Sequence, residues 1–396
     1  MKIIPSSRRH HYLARVSIFL VMVALIAGMV GCGGPYNLTI ASTAGGSVTN
    51  PGEAGPYTYD EGTVVNLVAE ADYHFVSWTG DVSTIADVND ATTNITMNGD
   101  YAITANFEEE AVTFADPNLE AAIREAIGKP TGPIYPSDLE GLPSLSASEK
   151  NIADLTGLEC ATSLTSLGLD DNQISNVSPL ANLTSLQQLW LGDNQISDIS
   201  PLANLTSLTG LYLYSNQIST ISPLANLTNL MSLSLRYNEI SNISPLANLT
   251  NLTWLDLEGN QISTISPLSN LTSLTGLSLQ YNQISNVSPL VNLTNLQQLW
   301  LGDNQISDIS PLSNLTSLQQ LWLSYNQISD ISPLSNLTNL TWLDLEGNQI
   351  SDISPLVDNE GLSEGDEIYL TGNPLSSDSI NIYIPQLEAR GVIVDY

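Results

Sequence analysis

An asparagine recurs every 22 residues through the second half of the chain, and no other feature constrains the fold as strongly. The nine copies are Asn172, Asn194, Asn216, Asn238, Asn260, Asn282, Asn304, Asn326 and Asn348. A leucine pair separated by one residue precedes every copy, from Leu167 and Leu169 to Leu343 and Leu345. A fixed period of this length indicates one structural unit that is stacked on copies of itself.

Each unit spaces its apolar residues in a way that predicts a short strand, a turn and a tight helical return. Leu189 and Leu191 are two residues apart, so both point to one side of an extended segment and are expected to enter the core. Asn194 follows at the turn, where its carboxamide can donate to and accept from buried backbone groups, and its stacked copies are expected to form an asparagine ladder. Pro201 fits a 3₁₀ turn better than a long helix. The pattern predicts a leucine-rich repeat solenoid over residues 161–375, mainly β with short 3₁₀ and α segments.

A stacked solenoid needs a cover at each end, because its terminal repeats would otherwise expose the core. At the amino-terminal end, Asp116, Pro117 and Gly128 supply helix start and stop signals around an apolar stripe, so residues 112–160 are predicted to form a helical cap. At the other end, residues 376–396 are predicted to form a cap. It consists of a helix over 376–390, broken at Pro385, and a strand over 392–396.

The first 31 residues have the composition of a signal peptide. Four basic residues precede an apolar run from Val16 to Val30, which is too short for a comfortable transmembrane helix. Gly31 and Cys32 then resemble the lipobox of bacterial lipoproteins, which implies acylation of Cys32, a lipidated amino terminus at 32–35, and attachment to a membrane. A plain secretory cleavage or an uncleaved anchor is the alternative. The chain is therefore predicted to be exported to the bacterial cell surface and anchored there by lipid.

Residues 36–108 differ in texture from the solenoid. Alternating segments separated by Gly, Asn, Asp and Pro clusters predict a small antiparallel β domain, with Trp78 in its core. The run from Gly46 to Phe107 resembles the divergent β-repeat module of bacterial surface proteins, which implies a spacer. Residues 109–111 are expected to be an acidic linker to the solenoid.

The charge balance argues against a polynucleotide partner. Removal of residues 1–31 takes away four of the nine basic residues and no acidic residue, which leaves 5 basic against 41 acidic. A chain this acidic repels nucleic-acid phosphates. The charge is expected to serve solubility, and specific Ca²⁺ binding is the alternative, although no twelve-residue calcium loop is present. Neither a cofactor nor a metal site is predicted.

Residues 112–396 resemble the internalin-like leucine-rich repeat proteins of bacteria. The resemblance rests on the 22-residue period, on Asn-Gln-Ile-Ser followed by Ile-Ser-Pro-Leu, on the segment from Phe114 to Leu119, and on Ala389 to Val392. It implies a scaffold that binds a partner through exposed strand positions. The identity of the partner does not carry over, because members of the family use one scaffold for unlike partners.

The outward strand positions are unusually aromatic, and carboxylates are interleaved among them. They supply the candidate ligand-binding residues Trp190, Tyr212, Tyr214, Trp254, Asp256, Glu258, Trp300, Trp322, Trp342, Asp344 and Glu346. Exposed aromatic residues at this density suggest recognition of an extracellular protein, that is, adhesion. A surface polysaccharide stacked on the tryptophans is the alternative, and a purely structural envelope protein is the third reading. Duplication of repeats explains part of the aromatic count.

No catalytic residues are predicted. After the leader, the chain holds one histidine, His74, and one cysteine besides Cys32, namely Cys160, which is expected to be a small buried hydrophobe. The carboxylates of Asp256 and Glu258 are close enough to suggest glycoside hydrolysis, but an open strand surface does not separate their pKa values as that reaction requires. The chain is predicted not to be an enzyme.

Overall fold

The computed structural model describes residues 34–71 and 73–396. The predicted signal peptide and the lipidation site at Cys32 lie outside the described residues. The chain divides into two compact units, the first ending at Glu108 and the second running from Glu109 to Tyr396. In the described ranges, no helix combines the length and the hydropathy needed to cross a membrane.

The first unit is a seven-stranded β domain. Its strands are β1 Tyr36–Ser42, β2 Gly46–Asn50, β3 Tyr57–Tyr59, β4 Val64–Ala71, β5 His74–Gly80, β6 Thr92–Thr96 and β7 Tyr101–Glu108. They form a four-stranded sheet in the order β3-β1-β7-β5 and a three-stranded sheet in the order β2-β4-β6. The expectation of a purely antiparallel domain was wrong at one pair, because β1 and β7 run parallel. Trp78 is buried in the core, where its Nε1 donates to the carbonyl of Asp90 at 3.0 Å.

The second unit is built on one parallel sheet of twelve strands that follow chain order. The strands are β8 Ser144–Ser146, β9 Ser166–Gly168, β10 Gln188–Trp190, β11 Gly210–Tyr212, β12 Ser232–Ser234, β13 Trp254–Asp256, β14 Gly276–Ser278, β15 Gln298–Trp300, β16 Gln320–Trp322, β17 Trp342–Asp344, β18 Glu367–Tyr369 and β19 Ile393–Asp395. The nine predicted repeats supply β9 to β17, and the predicted terminal strand is β19. Two strands were missed. β8 lies in the segment predicted as a purely helical cap, and β18 lies where the repeat spacing lengthens.

Each strand is followed by a turn and a short return segment, as predicted. The 3₁₀ returns are Leu158–Cys160, Ser178–Leu180, Ser200–Asn204, Ser222–Asn226, Ser244–Asn248, Ser266–Asn270, Ser288–Leu290, Ser310–Leu312 and Ser332–Asn336, and the last return is α3, Ser354–Asp358. Leu189 and Leu191 have no exposed surface, and neither does Leu202 from the return. The core is therefore a continuous aliphatic filling between the sheet and the returns.

The asparagines tie consecutive repeats together. Asn194 donates through Nδ2 to the carbonyl oxygens of Leu191 and Gly192 in its own turn, at 3.2 and 2.9 Å, and to Leu169 of the preceding repeat at 3.0 Å. Its Oδ1 accepts from the backbone N–H of Ile174 at 2.9 Å. The other eight predicted asparagines make the equivalent contacts. Asn373 does the same although it follows Asn348 by 25 residues.

A helical segment covers each end of the solenoid core. At the start, α1, Pro117–Ile127, is capped by Asp116, whose second carboxylate oxygen also accepts from the N–H of Ala153 at 2.7 Å. The short helix α2, Pro136–Leu139, follows. At the end, a π-helical turn over Ser379–Tyr383 continues directly into α4, Ile384–Glu388. The expected break at Pro385 was wrong, because the proline lies in the first turn of α4, where no backbone N–H is required.

Candidate binding surface

The sheet of the second unit has one face in the core and one face turned away from it, which we call the strand face. On β15, Leu299 points into the core while Gln298 and Trp300 point to the strand face. The register pairs Trp300 with Trp322 on the next strand, so equivalent positions form rows across the sheet. Any row of large side chains therefore brings its members about 4.8 Å apart along the stack.

Five aromatic rings form a connected group at the carboxyl-terminal half of this face, which we call the aromatic band. Its members, in order of contact, are Trp254, Trp300, Trp322, Trp342 and Tyr369. The successive ring centroids are 5.5, 5.0, 5.9 and 4.9 Å apart. Trp254 is 36% exposed and the other four rings are partly buried against their neighbours. The band is a pre-packed apolar surface outside the core.

A glycine makes the connection at one end of the band. Trp254 lies on β13 and Trp300 on β15, so the indole must cross the intervening strand β14. Gly276 stands at the crossing point, where an added Cβ would lie 2.3 Å from Cε3 of Trp254. Because Gly276 has no side chain, the two tryptophans meet across three strands.

The remaining predicted aromatic residues form a second, separate group. Trp190 and Tyr212 stack with centroids 5.5 Å apart and planes inclined by 3°. Tyr214 lies over Gly192, and the guanidinium carbon of Arg236 is 5.2 Å from the centroid of the Tyr214 ring. Small serines on β12 and β14 separate this group from the band. The structure therefore does not bring all the candidate aromatic residues into one cluster.

Ring orientation limits what the band can bind. Trp300 and Trp322 have planes inclined by only 21° at a centroid distance close to the strand spacing, so the rings stack along the sheet. Each ring covers much of its neighbour's face and turns an edge outward. The band presents a ridge of aromatic edges rather than a set of flat platforms.

The predicted carboxylates lie along the strands, beside the aromatic groups. Asp256 accepts from the N–H of Glu258 at 3.2 Å, and Asp344 accepts from the N–H of Glu346 at 3.0 Å. Burial raises the pKa of Asp256 above its usual range, and the neighbouring carboxylate of Glu258 adds to this effect. Neither pair is enclosed in a cleft. Each carboxylate of a pair belongs to the backbone of its own strand rather than to a shared reaction centre.

Three exposed tyrosines were missed by the sequence reasoning. Tyr237, Tyr281 and Tyr325 directly precede ladder asparagines in every second repeat and are 47%, 54% and 53% exposed. All three have a left-handed backbone, with φ of 53°, 52° and 52°. The signal was present in the sequence, since the tyrosines keep a 44-residue period, but the position lies outside the alternation of the strand.

Tyr369 was also missed, because the longer spacing before Asn373 obscured the strand that carries it. Cys160 lies in a 3₁₀ return away from the strand face, and burial followed by the charge of Glu159 raises the pKa of its thiol. Within residues 34–71 and 73–396, no three His, Cys, Asp or Glu side chains converge on a point that could hold a metal ion.

Comparison with known proteins gives two family matches. Residues 36–111 match the model described as a divergent InlB B-repeat domain. The model described as leucine-rich repeats in two copies matches seven overlapping segments, namely residues 162–204, 184–226, 206–248, 228–270, 250–292, 272–314 and 316–358. The fold class and the spacer-type module predicted from the sequence are confirmed by these matches.

Solved structures agree with this assignment. An internalin of Listeria monocytogenes (inlF) is 38% identical, with a TM-score of 0.62, over 71% of this chain and 88% of that chain. Internalin C2 of the same organism is 41% identical, with a TM-score of 0.52, over 56% of this chain and 100% of that chain. The plant peptide hormone receptor RGFR1 in complex with RGF2 is 26% identical, with a TM-score of 0.52, over 61% of this chain and 46% of that chain. No curated protein matches the chain.

Proposed function

The chain belongs to the internalin-like leucine-rich repeat proteins, and from that membership we propose that it is a non-enzymatic surface protein that recognises an extracellular protein through its strand face. The aromatic band carries this proposal. Its five rings are held in contact before any partner arrives, so binding would cost little side-chain entropy. Clustered tryptophan and tyrosine side chains are typical of the residues that dominate the energy of protein interfaces.

The similar plant receptor supports a polypeptide partner, since it is described in complex with RGF2. The ring geometry supports the same choice over a polysaccharide. A sugar ring stacks on an open aromatic face, whereas Trp300 and Trp322 cover each other's faces and turn their edges outward. A ridge of edges instead suits an apolar groove between side chains of a partner protein.

We also propose that no cofactor, metal or catalytic step is involved. The carboxylates of Asp256 and Asp344 accept hydrogen bonds from their own strands, on an open surface that solvent reaches. A reaction of paired carboxylates needs an enclosed setting that raises the pKa of one acid far above that of the other. Partner binding is therefore expected to persist in the presence of a calcium chelator.

Attachment to the membrane is proposed at Cys32, with residues 36–108 acting as a spacer between the lipid and the solenoid. The support is the lipobox-like sequence before Cys32 together with the B-repeat match. A Cys32→Ala variant should lose incorporation of a labelled fatty acid and leave the membrane fraction. Unchanged labelling would refute lipidation at this residue.

The binding proposal is tested with residues 32–396 expressed without the leader. This protein is screened against arrays of extracellular proteins and of glycans, beside a Trp300→Ala/Trp322→Ala variant. Val291→Ala is the matched control, because it trims an exposed apolar residue and introduces the alanine that several other repeats carry there. Protein ligands lost only in the tryptophan variant are the expected result. Glycan ligands alone would favour the polysaccharide alternative, and an absence of ligands would favour a structural envelope role.

A further inference from the structure

A second surface borders the strand face, built from the three tyrosines and from three carboxylates in the repeats between them. We call it the tyrosine–carboxylate strip. In order along the solenoid, it consists of Tyr237, Glu258, Tyr281, Asp303, Tyr325 and Glu346. Each residue comes from the repeat after that of the residue before it, so rings and carboxylates alternate strictly.

Hydrogen bonds link each ring to the next carboxylate. The hydroxyl of Tyr237 donates to Glu258 at 2.5 Å, and that of Tyr325 donates to Glu346 at 2.6 Å. Tyr281 is hydrogen-bonded to Asp303 in the same way. The rings of Tyr237 and Tyr325 lie over Gly259 and Gly347 of the following repeats. The rings are therefore held in place while about half of each remains open to solvent.

The strip lacks the cations that its chemistry would attract. In the described part of the chain, none of its three carboxylates takes part in a salt bridge, and no lysine or arginine lies over the rings of Tyr281 or Tyr325. At one end the chain itself shows how a cation fits. The guanidinium carbon of Arg236 lies 5.7 Å from the centroid of the Tyr237 ring. An aromatic ring beside a carboxylate favours a guanidinium through both cation–π and charge attraction.

The spacing of the strip selects the backbone conformation of a ligand. Carboxylates two strands apart are separated by about 9.6 Å, given a strand spacing of about 4.8 Å. One turn of a polyproline II helix takes three residues at about 3.1 Å each and advances about 9.3 Å. Same-face residues of a β-strand repeat at about 6.8 Å, and same-face residues seven apart on an α-helix repeat at about 10.5 Å. Polyproline II stays in register over the strip better than either.

We propose that the tyrosine–carboxylate strip binds a polyproline II segment of a partner protein that carries an arginine or lysine at every third residue. Each cation lies against one carboxylate between two tyrosine rings. The prolines of the segment contact the exposed parts of the rings, as in other aromatic-lined sites for this conformation. This surface is separate from the aromatic band, so its test does not depend on the band.

The probe is a fluorescent peptide of four Arg-Pro-Pro units, titrated with residues 32–396 in low-salt buffer and followed by anisotropy. The comparison peptide has the same composition with its four arginines placed consecutively. The regular peptide is expected to bind at least about tenfold more tightly, because only its cations match the strip. Equal binding of the two peptides, or no binding of the regular peptide, would overturn the proposal.

Protein variants locate the binding. Tyr237→Ser/Tyr281→Ser/Tyr325→Ser is expected to weaken binding about tenfold or more, and serine is compatible with this backbone because Ser215 holds the same position with φ of 52°. Should that variant melt early, Glu258→Gln/Asp303→Asn/Glu346→Gln removes the charges and should weaken binding to the same extent.

The matched control is Glu239→Gln/Asp308→Asn/Asp330→Asn, which neutralises three exposed carboxylates off the strip with residues that other repeats carry at those positions. The control and Trp300→Ala/Trp322→Ala should both bind the regular peptide like the parent. A loss in the control equal to that in the strip variants would reduce the effect to net charge and refute the strip as a site.

Discussion

Removal of one rung from the asparagine ladder should destabilise the whole solenoid, and Asn260→Ala near its centre gives the sharpest test. Asn260 Nδ2 donates to the carbonyls of Leu235, Leu257 and Glu258 at 3.0, 3.1 and 3.2 Å, and its Oδ1 accepts from the N–H of Ile240 at 3.0 Å. These four contacts do not count equally, because their partners differ in what else they contact.

The three carbonyls keep a second donor after the substitution. Leu235 still accepts from Asn238, Leu257 still accepts from Asn282, and Glu258 still accepts from the N–H of Tyr237. The N–H of Ile240 has no other acceptor in the described structure and is left buried and unpaired. An orphaned buried donor costs about 1–3 kcal/mol and each weakened hydrogen bond costs roughly 0.5 kcal/mol, so the expected loss in the free energy of unfolding is about 3 kcal/mol.

The assay is urea denaturation of residues 32–396 followed by circular dichroism, with Asn251→Ala as the matched control. Asn251 is exposed and its Nδ2 donates once, to the carbonyl of Thr228 at 2.8 Å, so its loss should cost less than about 1 kcal/mol. Midpoints for Asn260→Ala and Asn251→Ala that coincide within error would refute the account of the ladder given above.

Two further predictions concern the strand face. Gly276→Ala should push the indole of Trp254 away from Trp300 and change the near-ultraviolet circular dichroism, at a stability cost of about 1 kcal/mol, because the clash falls on a ring edge that can move; Gly141→Ala, where an added Cβ has open space, should do neither. Asp256→Asn should raise the urea midpoint at pH 7. Burial raises the pKa of Asp256 in the folded state above its ordinary value of 3.8, so the stability associated with this group is present below that pH and is lost as the pH rises through the folded-state pKa. The advantage of the variant should therefore vanish near pH 3, and an advantage that persists there would contradict this sign.

Much of the solenoid follows from the sequence alone. The 22-residue period sets the register of the sheet, because identical spacing places Leu189, Leu211 and Leu233 opposite one another on adjacent strands. The buried asparagine and the proline-led return are local chemistry that each repeat carries for itself. The two missed strands, β8 and β18, lie where that spacing is not kept, and there only packing on the neighbouring rung makes the segment a strand.

The candidate surface depended far more on tertiary structure. Aromatic residues could be placed on the strand face from their alternation with leucines, but their division into two groups could not. Trp254 reaches Trp300 only because Gly276 stands between them, and these three residues lie 22 residues apart in sequence. Periodicity predicts which side of a strand a residue occupies, whereas the contacts of a long side chain depend on which small residue faces it on the next strand.

The amino-acid sequence by itself determined the stack, the buried aliphatic filling and the asparagine ladder, since each arises from interactions that repeat with the chain. Only the folded structure decided that the tryptophans turn their edges outward and that exposed tyrosines alternate with carboxylates from other repeats. The physical reason is that side chains on the surface of a solenoid contact neighbours one or two turns away, so their environment is set by pairs of repeats rather than by any single one.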